Sequence, residues 1–396
     1  MSAGAHRRVV IVGASLAGLN TCEGLRRHGH EGPIVLIGDE PHLPYDRPPL
    51  SKDVLTGAKT LDDVTLVSSD RLSELDVELR TGVTVTGLDV AAKVLHAGTE
   101  TVAYDELVVA TGASARPFPG ATLDGIHLLR RAEDAVAIAD ALSRSSHLVV
   151  VGGGYIGAEV ASAARAVGVA ATIVDPMPVM LSRGLGSKLG PAVAQLHREN
   201  GVQVRCGVGV EGFKGSDRVE AVATSEGLID ADLVVVGIGA IPNTSWLDGS
   251  GVELVDGVVC DAQCRAIGAS GVWAAGDVAR WFHSGVGETI RLEHWTNAIE
   301  QANAVAQGIC GDPQPFAPVP YVWSDQHGKR LQCFGSVQVD DEMVIVDGEL
   351  GPDNFVALFG RADRLVGLVA LNGGRAVGAY RRLLVAGASW GDALAA

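Results

Sequence analysis

Short apolar runs closed by glycine recur along this chain. Residues 9–12 (VVIV) run into Gly13 and Gly18, and residues 147–151 (HLVVV) run into Gly152, Gly154 and Gly157. An unbroken apolar run of this length is the pattern of a strand buried on both faces, as in a parallel sheet. Each glycine cluster leads into a helical stretch and then a second apolar run: "PIVLIGDE", ending at Asp39 and Glu40, and "ATIVD", ending at Asp175. The pattern predicts two βαβ units. "LVVATG" (107–112) is a further strand, reaching Ala110, Thr111 and Gly112, where the chain leaves its first domain. "GVWAAGDVARW" (271–281) reads as a strand running into Gly276 and Asp277 and then a helix start. The prolines of "PYDRPPLSK" (44–52) predict a stiff extended segment that places Arg47 and Lys52. From "PVPYVWSDQ" onward the pattern alternates, in "EMVIVDG" and "NFVALFG", which predicts antiparallel strands and a terminal helix.

The glycine spacing carries chemistry. In a dinucleotide-binding turn the first glycine makes the turn, the second admits a pyrophosphate close to the backbone, and the third packs helix on strand. The helix N-terminus adds N–H donors and the positive end of its dipole. Gly152, Gly154 and Gly157, with Tyr155 and Ile156 between them, meet every requirement. In the first turn Ser15 takes the middle place, with Leu16 and Ala17 before Gly18; a serine costs close approach, not polarity. Asp175 is placed to bind both hydroxyls of an adenosine ribose and would repel a 2′-phosphate, which favours NAD over NADP. Asp277 reads either as a helix N-cap or as an acceptor for a flavin ribityl hydroxyl. Two such units imply two dinucleotides, commonly FAD and a nicotinamide dinucleotide, and spacing alone does not assign them. The fold class is α/β: two doubly wound Rossmann-like dinucleotide-binding domains plus a C-terminal α+β domain.

Composition narrows the partners. The chain has 396 residues, 47% hydrophobic and 20% charged, with 51 glycines, enough for two or three domains. A net charge of −16 argues against nucleic acid as principal partner. No apolar run is long enough to predict a membrane span, and no cleavable leader is evident. Six cysteines (Cys22, Cys206, Cys260, Cys264, Cys310 and Cys333) are scattered without a C-x-x-C pair, which fits inert thiols in a reducing cytoplasm. Cys260 and Cys264 are close in sequence but have no neighbouring ligand type, so no metal site is expected. The region 41–55 has no cysteine, so dithiol relay chemistry beside a flavin is not expected there.

Over its full length the chain resembles the FAD- and NADH-dependent ferredoxin reductases of bacterial oxygenase and cytochrome P450 systems. The resemblance rests on "RPPLSK", "ATG", "VVVGGGYIGAE", "GIGAIPN", "AAGDVAR", "NAIEQA" and "YVWSDQ". Ser15 and the glycine-rich "LNGGRA" depart from the expected pattern. The resemblance implies a glutathione-reductase-like architecture: an FAD-binding domain from 4–114 and 244–317, an inserted NADH-binding domain, 115–243, and a C-terminal interface domain, 318–396. It implies that FAD is lined by the first glycine turn, Asp39, Glu40, Arg47, Lys52, Val85, Ala110, Thr111, Gly112 and Arg130. Gly276, Asp277, Glu293, His294 and Trp295 join that lining, with Trp323 at the flavin. NADH would meet Gly152 to Gly157, Glu159, Asp175 and Gly239. Lys52 and Glu159 would meet as a catalytic ion pair near flavin N5. The implied activity is hydride transfer from NADH to FAD and single-electron transfer to a ferredoxin of 2Fe–2S type that serves an oxygenase or P450. A monomer or weak homodimer is implied. An NADH oxidase, a rubredoxin reductase and an apoptosis-inducing-factor-like binding protein remain alternatives on the same scaffold.

Overall fold

Four-residue strands with no polar side chain hold only if both faces are covered, and the chain covers them twice. The structure, a computed structural model, describes residues 6–396, the side chain of Arg183 excepted. Two compact units form. The first comprises residues up to Asp46, Asp62–Ser114 and Ile241–Pro318; the second comprises Arg47–Leu61, Ala115–Ala240 and Val319–Ala396.

In the first unit a five-stranded parallel sheet runs in the order Val272–Ala274, Glu106–Val109, Val9–Val12, Ile34–Ile37, Val77–Arg80. Every residue of Val9–Val12 and Ile34–Ile37 is buried. Helices Leu16–Arg27 and Trp295–Ile309 pack closely, and a Cβ on Gly24 would meet the Ala306 Cβ at 2.8 Å. A three-stranded antiparallel sheet, Val85–Asp89, Val94–Ala97 and Glu100–Ala103, is inserted between the third and fourth parallel strands in chain order.

The second unit repeats this plan. Its parallel sheet runs Val202–Cys206, Ala170–Asp175, His147–Val151, Leu233–Val236, Ile126–Leu128, and its inserted antiparallel sheet comprises Val210–Lys214, Ala221–Thr224 and Gly227–Asp230. The central strand is again followed directly by a glycine turn and a helix, Tyr155–Ala166. The same unit holds a five-stranded antiparallel sheet, Tyr321–Gln326, Lys329–Gly335, Arg364–Leu371, Phe355–Arg361 and Glu342–Gly348. Two helices follow where one was expected, Gly374–Val385 and Trp390–Ala395.

Two local expectations are corrected. No helix follows Gly276–Asp277: Ala279 N donates to Gly276 O (2.9 Å), closing a turn, and a strand, Ala279–His283, follows. Its period is two, with Ala279, Trp281 and His283 buried and the residues between them not, which a helix would not reproduce. Nor is 44–52 extended throughout. Pro48–Ser51 is a 3-10 turn, with Leu50 N donating to Arg47 O and Lys52 N to Pro49 O. A proline's fixed φ suits the first turn of a helix as well as an extended chain, so the prolines alone did not decide. Among the described residues no helix is long and apolar enough to cross a membrane.

Candidate functional site

The first glycine turn is forced by backbone contact. Gly13 has φ +118°, and a Cβ there would lie 2.0 Å from Ala110 O; a Cβ on Gly18 would lie 2.0 Å from Gly13 O. Neither position accepts a side chain without displacing backbone. Ser15 is the N-cap of helix Leu16–Arg27, makes no side-chain cap bond, and no acid follows in the first turn. The helix therefore presents free N–H donors and an uncompensated dipole. Gly276 (φ +80°) faces this turn: a Cβ there would lie 3.1 Å from the Ala17 Cβ and 3.7 Å from the Ala298 Cβ. The turn at 276–277 is tied down through Gly276 N to Gln301 Oε1, 2.9 Å, and Arg291 Nη1 to Asp277 O, 3.0 Å. Helix Trp295–Ile309 also begins without a side-chain cap, at His294.

Two buried polar atoms here, His294 Nδ1 and Asn297 Oδ1, have no hydrogen-bond partner. Orphaned buried donors and acceptors beside two uncapped helix N-termini are what a phosphate-bearing, hydroxyl-rich ligand would satisfy. The residues present therefore fit a dinucleotide such as FAD. Around them, Thr111 O accepts from Asn243 Nδ2 (2.9 Å), and Trp295 Nε1 donates to Asp46 Oδ1 (2.7 Å). Arg291 also donates to Glu293 (2.8 Å), and Tyr45 OH donates to Glu40 (2.5 Å). Asp39 is exposed two residues beyond strand Ile34–Ile37, and Val85 is buried at the start of its own strand.

The second glycine turn, in the other unit, has the same construction. Gly152 (φ +113°) would place a Cβ 2.2 Å from Gly237 O, and Gly157 one 2.1 Å from Gly152 O. A Cβ on Gly154, the middle glycine and N-cap, would meet nothing within 4 Å, so that face is open. The Asp175 carboxylate accepts from Gly153 N (2.5 Å) and Met177 N (2.7 Å), which anchors the acid to the turn it follows. Ile156 is exposed, and the Tyr155 hydroxyl lies 3.4 Å from Cys333 Sγ. Gly239 takes φ +105°, its carbonyl accepting from Arg116 N. An NADH-type dinucleotide fits this cradle through the open Gly154 position and the uncapped N-terminus of helix Tyr155–Ala166.

Arg47, Lys52, Arg130 and Trp323 fall in the second unit. Arg47 Nη1 donates to Arg130 O (2.6 Å), and Trp323 stacks on Tyr321. Lys52 Nζ lies 2.8 Å from Glu159 Oε2, with the Glu159 side chain 4% exposed. Ser51 and Ser324, which sequence reasoning had not singled out, also donate to this carboxylate, at 2.5 and 2.6 Å. A buried carboxylate is thus satisfied by one ammonium and two hydroxyls. It stands one turn into the helix that starts at the second glycine turn.

The cysteines sit in protein interior or are partly covered. Burial pushes Cys22, Cys264 and Cys333 up to about 12 and Cys260 well above its ordinary value. Such thiols are protonated at neutral pH and poor nucleophiles. Burial pushes three histidines, His197, His294 and His327, the other way, from 6.5 down to about 4. A folded chain that refuses protons the unfolded chain accepts is fully favoured above 6.5 and loses that advantage as pH falls towards 4. The melting temperature is therefore expected to drop between pH 7 and pH 5, and less steeply in a His294→Asn variant. A flat profile over that range would contradict these burials.

Family models match most of the chain: pyridine nucleotide-disulphide oxidoreductase over residues 7–302 and reductase C-terminal over residues 321–396. The chain is 38% identical to a benzene 1,2-dioxygenase system ferredoxin--NAD(+) reductase subunit of Pseudomonas putida, covering 96% of this chain and 92% of the relative. It is 35% identical to rhodocoxin reductase of Rhodococcus erythropolis, with 95% and 89% covered. Among solved structures it is similar to the covalent putidaredoxin reductase–putidaredoxin complex, with a TM-score of 0.92, 33% identity, and 96% and 94% of the two chains covered.

Proposed function

We propose an activity for this chain from one premise: it belongs to the pyridine nucleotide-disulphide oxidoreductase family. It is an FAD-containing ferredoxin--NAD(+) reductase that takes hydride from NADH and passes electrons singly to a ferredoxin, of 2Fe–2S type, serving an oxygenase or a cytochrome P450. The observation that carries this reading is the pair of like glycine turns, each built on a parallel sheet and each opening on an uncapped helix N-terminus, in a chain with no C-x-x-C pair and no cysteine in residues 41–55. Bound at the first turn, FAD supplies what an iron–sulfur acceptor needs, because it takes two electrons together and releases them one at a time.

The chain's own residues would divide the work. Gly13, Gly18 and Gly276 keep side chains out of the first cradle, Leu16 and Ala17 bring backbone N–H groups to the pyrophosphate, and His294 and Asn297 offer their unpartnered atoms. Gly152, Gly154 and Gly157 do the same for NADH, with Asp175 holding the adenosine ribose. Lys52 and Glu159, beside that turn, form the polar pair that meets the nicotinamide end. The domains would be 4–114 with 244–317 for FAD, 115–243 for NADH and 318–396 for the interface. A cytoplasmic location fits the thiol usage, and a monomer or weak homodimer is what the family resemblance implies. The test is cytochrome c reduction by NADH: it should require both this protein and a 2Fe–2S ferredoxin. Equal rates with and without the ferredoxin would refute the reading.

Coenzyme choice should follow Asp175. Asp175→Ser is expected to lower kcat/KM for NADH by about tenfold, roughly 1.4 kcal/mol of transition-state binding, while NADPH changes less. A wild type that already prefers NADPH in steady-state assays would contradict the assignment.

A further inference from the structure

Glu159 ends a longer line of buried polar groups. Its Oε1 accepts from Ser324 Oγ (2.6 Å), Ser324 Oγ accepts from Gln326 Nε2 (2.9 Å), and Gln326 Oε1 lies 2.9 Å from His197 Nε2. His197 Nδ1 in turn lies 3.0 Å from His327 Nε2, the two rings meeting edge to face. Ser324, Gln326 and His197 are at most 2% exposed. They come from different elements, the helix Ser182–Glu199 and the strand Tyr321–Gln326, and His327 N is held by the Ser162 hydroxyl.

The line has a direction. A glutamine amide donates from one end and accepts at the other, so with Nε2 given to Ser324 the serine's single proton is left for Glu159. With Oε1 turned to His197, Nε2 of that ring must carry its proton, and Nδ1 is then free to accept from His327 Nε2–H. Reversing the amide would make Ser324 donate to Gln326 and turn lone pairs of serine and carboxylate on each other. The neutral tautomer of His197 therefore decides whether Ser324 serves Glu159. Burial keeps this histidine neutral at physiological pH.

We infer that Gln326 is a positioning residue: held by the His197–His327 pair, it commits the Ser324 hydroxyl to Glu159 and so fixes the carboxylate that faces Lys52. The inference rests on the reading that the Lys52–Glu159 pair serves hydride transfer from NADH.

The test combines a spectroscopic readout with a double-mutant cycle on the FAD-loaded protein. Nitrogen-15 NMR should find His197 and His327 neutral with protons on Nε2. Gln326→Leu should slow anaerobic flavin reduction by NADH about tenfold, the scale of one lost hydrogen bond to a charged group, with NAD⁺ affinity unchanged. In a Glu159→Gln background the same change should cost less than about twofold, because its effect passes through Glu159. His197→Gln, whose amide can still donate to Gln326, should reduce faster than His197→Leu; these two variants and the tautomers decide the matter if Gln326→Leu does not fold. A proton on His197 Nδ1, a full further loss in the Glu159→Gln background, or equal rates for the two His197 variants would overturn the inference. Wild-type reduction by Glu159→Gln alone would instead overturn the role of the Lys52–Glu159 pair beneath it.

Discussion

Gly13→Ala is expected to yield protein that retains less than about a tenth of its FAD. The added Cβ would sit 2.0 Å from Ala110 O in a backbone at φ +118°, so strand and turn must separate. Overpacking and a left-handed non-glycine residue each cost about 1–3 kcal/mol, and every 1.4 kcal/mol is tenfold in binding. The flavin-to-protein absorbance ratio of purified protein reads the loss directly, with circular dichroism as the check on folding. Ser15→Gly is the control: the Ser15 hydroxyl makes no cap bond, so FAD should stay. Folded Gly13→Ala with a full complement of FAD would contradict the cradle.

Glu159→Ala is expected to slow flavin reduction by NADH at least about a hundredfold, the scale on which removing a preorganised charged partner is felt. It takes the carboxylate away from Lys52, whose side chain is 17% exposed, and from the Ser51 and Ser324 hydroxyls; Lys52 and Ser51 retain the Pro48 carbonyl as an acceptor, at 3.1 and 3.3 Å. Breaking a buried pair also costs stability, about 3–5 kcal/mol, so the melting temperature should fall with it. FAD should remain, because the first cradle is built from residues 13–18, 110–112, 276–277 and 294–297. Stopped-flow absorbance under nitrogen separates the two effects. Unchanged reduction in a destabilised variant would make the pair structural.

The two glycine turns were legible in the sequence because their rule is steric and local. Gly13, Gly18, Gly152 and Gly157 lie where only glycine fits, and each follows an apolar run that can only be a buried strand. Asp277 misled because a Gly–Asp pair opens turns and helices alike; the inward alternation of Ala279, Trp281 and His283 was the discriminating signal. Ser51, Ser324 and Gln326 lie within "RPPLSK" and "YVWSDQ", yet nothing local ties them to Glu159. Ser51 and Ser324 reach Glu159 across 108 and 165 residues of chain, and a serine reads the same in sequence whether it serves a site or a turn. Asp46 is similar: it meets Trp295 across 249 residues. Such partners follow from tertiary packing, and periodicity does not carry them.

The family model is named for disulphide chemistry, yet the segment 47–61 holds no cysteine and burial keeps Cys22, Cys264 and Cys333 protonated. The central claim is that electrons enter as hydride from NADH and leave from the flavin to a ferredoxin with no thiol between. An anaerobic titration of the FAD-loaded protein with NADH, followed by flavin absorbance and thiol counting, tests it most directly. The account predicts complete bleaching at one NADH per FAD, an unchanged thiol count, and recovery of the oxidised spectrum on adding two equivalents of oxidised 2Fe–2S ferredoxin. Uptake of a second NADH with the appearance of two new thiols would contradict it.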